Sequence, residues 1–245
     1  MIQVKSFTKK YGNHIAVQDV SFQVLPGQVT GLLGPNGAGK TTILKGICTL
    51  HYATQGTIYV QGLDVAKDPV KVRQIIGYVS EQPALISSFT TEEFLNYAAS
   101  IRFSKTMESV FDAVQKVSVQ CDLQPVMKTK ISNLSKGYRQ RLSFAQSLLH
   151  NPSVLILDEP VSGLDPAQIR QMRSLIKELA KDHTVLLSTH LMQEVEALCS
   201  TVHIISDGRL VASGTAQQIT TQEKCNTFED AFLKLTSGFS MGGAS

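Results

Sequence analysis

At 245 residues, with 42% hydrophobic and 18% charged side chains, the chain reads as a soluble globule, either one large domain or a core with a smaller lobe. That length buries about 70–75% of the unfolded surface, so folding needs neither disulfide nor metal, and a net charge of +3 is too small for a clustered nucleic-acid-binding face. No apolar run approaches the roughly 18 residues of a membrane span, and Cys48, Cys121, Cys199 and Cys225 lack C-x-x-C spacing, so reduced, packed thiols are expected.

Met1-Ile2-Gln3-Val4-Lys5 begins a strand rather than a signal peptide. Extended segments fill residues 1–33: Val20, Phe22 and Val24 alternate with Ser21 and Gln23, and Pro26-Gly27 turns the chain into the apolar strand Val29-Thr30-Gly31-Leu32-Leu33. A helix over residues 42–47 follows, then strands at Gly56 to Gly62 and Ile75 to Val79. From about residue 85 the pattern turns helical. Thr90 with Glu93 forms a capping box ahead of Phe94, Leu95, Tyr97 and Ala98, Val110, Val114 and Val117 continue a helical period, and a third helix covers Lys136 to Leu149. Strand Val154 to Leu157, helix Ala167 to Leu179, strand Thr184 to Ser188 and helix Leu191 to Leu198 restore an α/β alternation. A hairpin turns at Asp207-Gly208, an amphipathic helix carries Phe228, Ala231, Phe232 and Leu235, and Ser237 to Ser245 is expected to fray. Alternating strands and helices imply a mostly parallel sheet whose carboxyl edge holds the ligand.

Gly34-Pro35-Asn36-Gly37-Ala38-Gly39-Lys40-Thr41-Thr42 carries the G-x-x-x-x-G-K-[ST] spacing between a strand and a helix, the context that motif requires. Its glycines let several backbone N–H groups converge on one anion, and the helix N-terminus adds positive potential. Lys40 would reach the β- and γ-phosphates and the Thr41 hydroxyl would ligate magnesium. Asp158 ends a buried strand, where a carboxylate can hold magnesium opposite Thr41, and Glu159 can polarise a water in line with the γ-phosphate. The plainer reading of these two acids is a strand end or a helix cap. His190, after another buried strand, is either a core histidine or a donor to the γ-phosphate.

Leu134-Ser135-Lys136-Gly137-Tyr138-Arg139-Gln140-Arg141 lies shortly before the 154–157 strand. With it the chain resembles the ATP-binding subunits of ABC transporters, and among them those of exporters for drugs, polysaccharides and ions. Tyr11 matches the aromatic residue that stacks on adenine, with Val17 beside it. Ser162-Gly163-Leu164-Asp165 matches the loop that communicates between protomers, and His190 matches the switch histidine. Lys136 and Tyr138 replace the commoner glycine and glutamine of the signature, a variant also found in the exporter branch. Counting from Tyr78, the position usually held by a magnesium-contacting glutamine is Glu81, with Gln82 next; either offers an oxygen, and Glu81 fits by register.

The resemblance runs from residue 1 to 220. It implies a RecA-like P-loop ATPase core with an antiparallel β lobe, a helical signature subdomain over 85–150, and a C-terminal helix with a flexible tail over 221–245. It implies ATP and Mg2+ as cofactors, with Glu159 as general base and Lys40, His190 and the loop amides stabilising the γ-phosphoryl. Ser135, Gly137 and Asp165 serve the nucleotide of an opposite subunit, in a homodimer or heterodimer, although Ser135 also reads as the cap of its own helix. The other partner is an integral-membrane permease subunit, which places the chain on the cytoplasmic face of the cell membrane. Pro83 to Phe89 offers apolar groups to that partner or to the core. No nucleic acid is expected; Lys71, Arg73, Arg139 and Arg141 read as solvated faces or subunit contacts. A soluble ABC ATPase in a non-transport process and a nucleotide-binding regulator without turnover are the competing classes. The first generally needs a long coiled-coil insert or a second ATPase domain, and the second has no use for Glu159 and His190.

Overall fold

Two sheets divide the chain in the computed structural model, which describes residues 1–102 and 107–237, the side chains of 107–109 excepted. The smaller sheet is antiparallel, built from β1 (Ile2–Tyr11), β2 (His14–Val24), β4 (Gln55–Val60) and β5 (Leu63–Asp64) in the order β2-β1-β4-β5. The larger sheet contains β3 (Val29–Leu33), β6 (Ile76–Val79), β7 (Val154–Asp158), β8 (Thr184–Thr189), β9 (Thr201–Ser206) and β10 (Arg209–Gly214). Its order is β10-β9-β3-β8-β7-β6, parallel except for the β9–β10 hairpin. β3, β7 and β8 are buried along their whole length, as their continuous apolar runs require of strands covered on both faces.

Alternation along β2 is broken. Val17, Val20, Phe22 and Val24 all face the core, although Val17 and Val20 are three apart. The break coincides with positive φ at Asp19 (50°) and, on the facing strand, Ser6 (47°), where the pairing register shifts. Such bulges turn one strand end to a new face.

The helices are α1 (Lys40–Ile47), α2 (Pro69–Ile75), α3 (Thr91–Arg102), α4 (Met107–Gln120), α5 (Lys136–Leu148), α6 (Pro166–Leu179), α7 (Met192–Leu198), α8 (Ala216–Gln222) and α9 (Phe228–Ser237). α3 opens as expected: Glu93 accepts from the Thr90 backbone N–H at 2.7 Å while Thr90 Oγ1 accepts from the Glu93 N–H at 3.2 Å. α2 goes unforeseen in the sequence reading, although Asp68-Pro69 is a helix start with proline in its first turn. α3, α4 and α5 form the helical lobe, whose core joins the main sheet through Leu155, Leu157, Val185 and Leu187.

Of the two roles open to the apolar groups of 83–89, Leu85, Ile86 and Phe89 take the core one in part: each is half-buried and packs against the helical lobe's core. Two expectations need correction. Arg141 is not a solvated charge: it donates to Asp122 Oδ2 at 2.6 Å and to Gln171 Oε1 at 2.7 Å, tying α5 to the end of α4 and to α6. A boundary at residue 220 falls inside α8, whose Ile219 shares a core with Phe228 and Phe232 of α9 and with Leu33, Val202 and Ile204 of the main sheet. α8 and α9 therefore cover one face of the same sheet. The expected fraying of the tail lies, beyond Ser237, outside the described residues.

Candidate functional site

β3 ends at Leu33 and α1 starts at Lys40, so the six residues between must reverse direction around whatever they hold. Only glycine fits at two of them. A Cβ on Gly34 would run into the carbonyl of Ile205, and one on Gly39, at φ 102°, would stand 2.7 Å from the Ala16 carbonyl. The loop is clamped from below: Gly34 N–H donates to Thr189 O (3.3 Å) and Ala38 O accepts from Gly208 N–H (3.0 Å). Neighbouring strands thus fix the loop's shape, while the first-turn N–H groups of α1 have no acceptors within their own helix.

These groups border a cavity of about 630 Å³ lined by Tyr11, His14, Ala16, Asn36, Gly37, Ala38, Gly39, Lys40, Thr41, Thr42, Glu81, Glu159, Ser162 and His190. Lys40 is buried at its base. Its ammonium donates to Gly34 O at 2.7 Å and Pro35 O at 3.1 Å and stands 3.6 Å from Glu159 Oε1. Burial lowers the pKa of this amine, and the charge of Glu159 opposes that shift more than any other group.

Asp158 is almost fully buried at the end of β7. Its Oδ1 accepts from Ser188 Oγ at 2.5 Å and lies 3.4 Å from Thr41 Oγ1, while Oδ2 accepts from Tyr78 OH at 3.3 Å. Burial, then the Asp158 charge, pushes the Tyr78 phenol up, so it stays a donor. Glu159 follows with φ 50°, a left-handed conformation costing about 1–3 kcal/mol for a side chain of this kind. Its N–H is held 3.2 Å from both Ser188 O and Ser188 Oγ. That twist aims the carboxylate between Lys40 and His190, whose Nδ1 lies 2.9 Å from Glu159 Oε2. The strain is the local consequence of turning one acid toward Thr41 and the next toward the cavity.

Among the described residues no three His, Cys, Asp or Glu side chains gather as a metal cluster. Thr41 and Asp158 supply two hard oxygens 3.4 Å apart, and the Glu81 carboxylate lines the same cavity. That set suits Mg2+, which keeps waters and phosphate oxygens as its remaining ligands, and would not suffice for Zn2+.

The structure brings Tyr11, residues 36–42 of the loop, Glu81, Glu159 and His190 into one cavity, while Gly34 and Pro35 meet the site only through their carbonyls on Lys40. Gln82 instead lines a neighbouring cleft. Val17 is fully buried beneath Gly39, and Ala16 takes its place on the cavity wall, because residues one apart on a strand face opposite sides. His14, which the sequence does not single out, also lines the cavity, as does Ser162, expected only as part of the loop between protomers; His14 is placed there by its hairpin pairing with Tyr11. Ser135, Gly137 and Asp165 lie outside it. Ser135 caps α5 by accepting from Tyr138 N–H (3.3 Å), and Asp165 caps α6 by accepting from Ala167 and Gln168 N–H (both 2.9 Å). A Cβ on Gly137 would stand 2.7 Å from Gln168 Cδ, so the starts of α5 and α6 meet on one face.

A sequence model of the ABC transporter family matches residues 17–162. The probable multidrug ABC transporter ATP-binding protein YbhF of Escherichia coli (strain K12) is 35% identical over 241 residues, covering 96% of this chain but 41% of YbhF, so the chain spans less than half of that relative. The ABC transporter ATP-binding protein NatA of Bacillus subtilis (strain 168) is 34% identical over 228 residues, 92% of each chain. Among solved structures, the dimeric post-hydrolysis state of the ATP-binding cassette MJ0796 bound to ADP and Pi superimposes with a TM-score of 0.79 at 26% identity, over 88% of this chain and 98% of that one.

Proposed function

The chain belongs to the ABC transporter family as an ATP-binding subunit and ATPase, and from that premise we propose that two such subunits bind MgATP head to tail, close, hydrolyse it and reopen, driving an exporter. The partner is an integral-membrane permease subunit, with this chain on its cytoplasmic side; among the described residues no helix is long and apolar enough to cross a membrane.

The observation that carries the reading is Glu159, twisted into the cavity between Lys40 and His190. In this reading ATP lies with its base at Tyr11 and its phosphates in the 34–42 loop. Thr41 and Asp158, with Glu81 on the same cavity wall, would hold Mg2+, which would supply positive charge against the charge that develops on the phosphates. Glu159 takes the proton of a water as that water's oxygen bonds to the γ-phosphorus; the bond to the β–γ bridging oxygen breaks, leaving ADP and phosphate. Lys40, the loop N–H groups and His190 stabilise the transferred phosphoryl. Ser135, Gly137 and Asp165, gathered away from their own cavity, complete the pocket of the second subunit. The core and its sheet-covering helices through α9 act as one cassette, with 85–150 as the moving lobe. The 81–90 loop transmits that movement to the membrane partner: Glu81 lines the cavity, and Leu85 and Phe89, half-buried, pack against the lobe's core.

Export is favoured over import by the Nod factor export ATP-binding protein I of Cupriavidus metallidurans, a relative 34% identical over 228 residues whose name speaks of export. The test is specific ATPase activity against protein concentration, with Glu159→Gln alongside. Activity that rises with concentration, and a Glu159→Gln variant that turns over at least about 100-fold more slowly yet forms ATP-bound dimers, supports the reading. Concentration-independent turnover, or an unchanged rate in the variant, overturns it.

A further inference from the structure

Tyr11 is the rim of the cavity, yet what supports its ring lies outside the cavity. The segment between α1 and β4 is tied to the end of β1 by Lys10 N–H to Thr54 Oγ1 (3.0 Å), Thr54 N–H to Thr8 O (2.8 Å) and Lys9 Nζ to Tyr52 O (2.8 Å). These ties bring His51 between two aromatic rings. Phe7, fully buried in the β lobe, lies parallel to the imidazole at 6.4 Å and 13°, and the imidazole meets Tyr11 edge to face at 6.1 Å and 89°. Lys9 Nζ stands over the Tyr11 ring, 5.2 Å from its centre. Three rings thus step from the core to the cavity.

His51 is an expensive way to fill that space. Both ring nitrogens are buried and have no hydrogen-bond partner among the described residues. Burial, then the Lys9 charge, lowers its pKa, so the ring is neutral at pH 7 and acts as a flat aromatic body. We propose that His51 is a positioning residue for the nucleotide base: backed by Phe7, it holds the Tyr11 ring at the angle on which the base of ATP stacks. An exposed tyrosine otherwise loses rotamer freedom on binding, and a ring already held loses less. The proposal rests on the base lying at Tyr11, as in the proposed function.

The test separates base from phosphate binding. Affinities for MgATP and for inorganic magnesium tripolyphosphate, which has no base, are measured on the purified chain and on His51→Ala, His51→Phe and Tyr11→Ala. The expected result is MgATP bound about two- to ten-fold more weakly by His51→Ala, the range of an edge-to-face aromatic pair. Tripolyphosphate affinity is unchanged, and His51→Phe restores MgATP binding. Equal loss of both ligands, loss of neither, or failure of the Phe variant to restore binding overturns the role of His51 while Tyr11→Ala still weakens MgATP. If Tyr11→Ala leaves MgATP binding intact, the base does not lie at Tyr11, and the proposal falls with that placement.

Discussion

Lys40 Nζ donates to the carbonyl of Gly34, six residues back in the same loop, at 2.7 Å. The ammonium therefore sits where it closes the loop on itself, with Pro35 O as second acceptor and Glu159 at 3.6 Å. In this state the lysine satisfies the loop's own carbonyls, and a phosphate must win it from them. Lys40→Met removes both the loop's internal tie and the charge. The expected result is MgATP affinity reduced at least about ten-fold, the worth of roughly one charge-assisted hydrogen bond. Titration calorimetry reads it directly.

Ser188 touches both acids of the site, donating to Asp158 Oδ1 and accepting from the Glu159 N–H. Ser188→Ala leaves the carboxylates in place but frees Asp158 from its shortest hydrogen bond. Turnover should fall about ten-fold, with the Mg2+ concentration for half-maximal rate rising as well. A uniform rate loss at unchanged Mg2+ requirement would assign the effect to Glu159 alone.

Arg173 of α6 reaches Glu194 of α7 with two nitrogens, its NH2 group 2.6 Å from Oε1, and Glu194 is 2% exposed. Arg173→Ala strands a buried carboxylate and should lower stability by about 2–4 kcal/mol. Arg173→Met combined with Glu194→Leu should recover most of it, since no charge is then left unpaired. Urea unfolding of the three variants checks both halves, provided the slopes agree.

His150 is held neutral: burial, then Arg102, lowers its pKa from 6.5 to about 4. Below 6.5 the unfolded chain takes up a proton that the folded chain refuses until about pH 4, so the unfolded state binds more protons across that window. Stability must then fall as pH drops from 6.5 toward 4. His51 and His203, also shifted down chiefly by burial, act in the same sense. His150→Gln should lose less stability between pH 7 and pH 5 than the parent, measured as the change in urea midpoint.

The phosphate loop, the strand-end acids and the signature segment could be read from residue order because each is local: a glycine pattern, a carboxylate after a buried strand, a serine before a helix. Local patterns also marked the α/β alternation and the capping box at Thr90. Ala16 and Val17 could not be sorted that way. The bulge at Asp19 flips the face of β2, and pairing with β1 sets it. Arg141 looked solvated because Asp122 and Gln171, which neutralise and anchor it, are 19 and 30 residues away.

Residue order by itself therefore determined which groups are on offer: a glycine-rich loop before a helix, a pair of strand-end acids, a histidine after a buried strand, and the family to which they belong. Only the tertiary structure decided how those groups are aimed. Glu159 faces Lys40 and His190 because β7 lies between β6 and β8 and the backbone twists at its end. His51 reaches Tyr11 because β1 and the 49–54 segment are bound side by side. Spacing along a chain encodes local hydrogen bonding and periodicity, whereas the approach of distant side chains depends on strand order and register, which many sequences could satisfy in different ways.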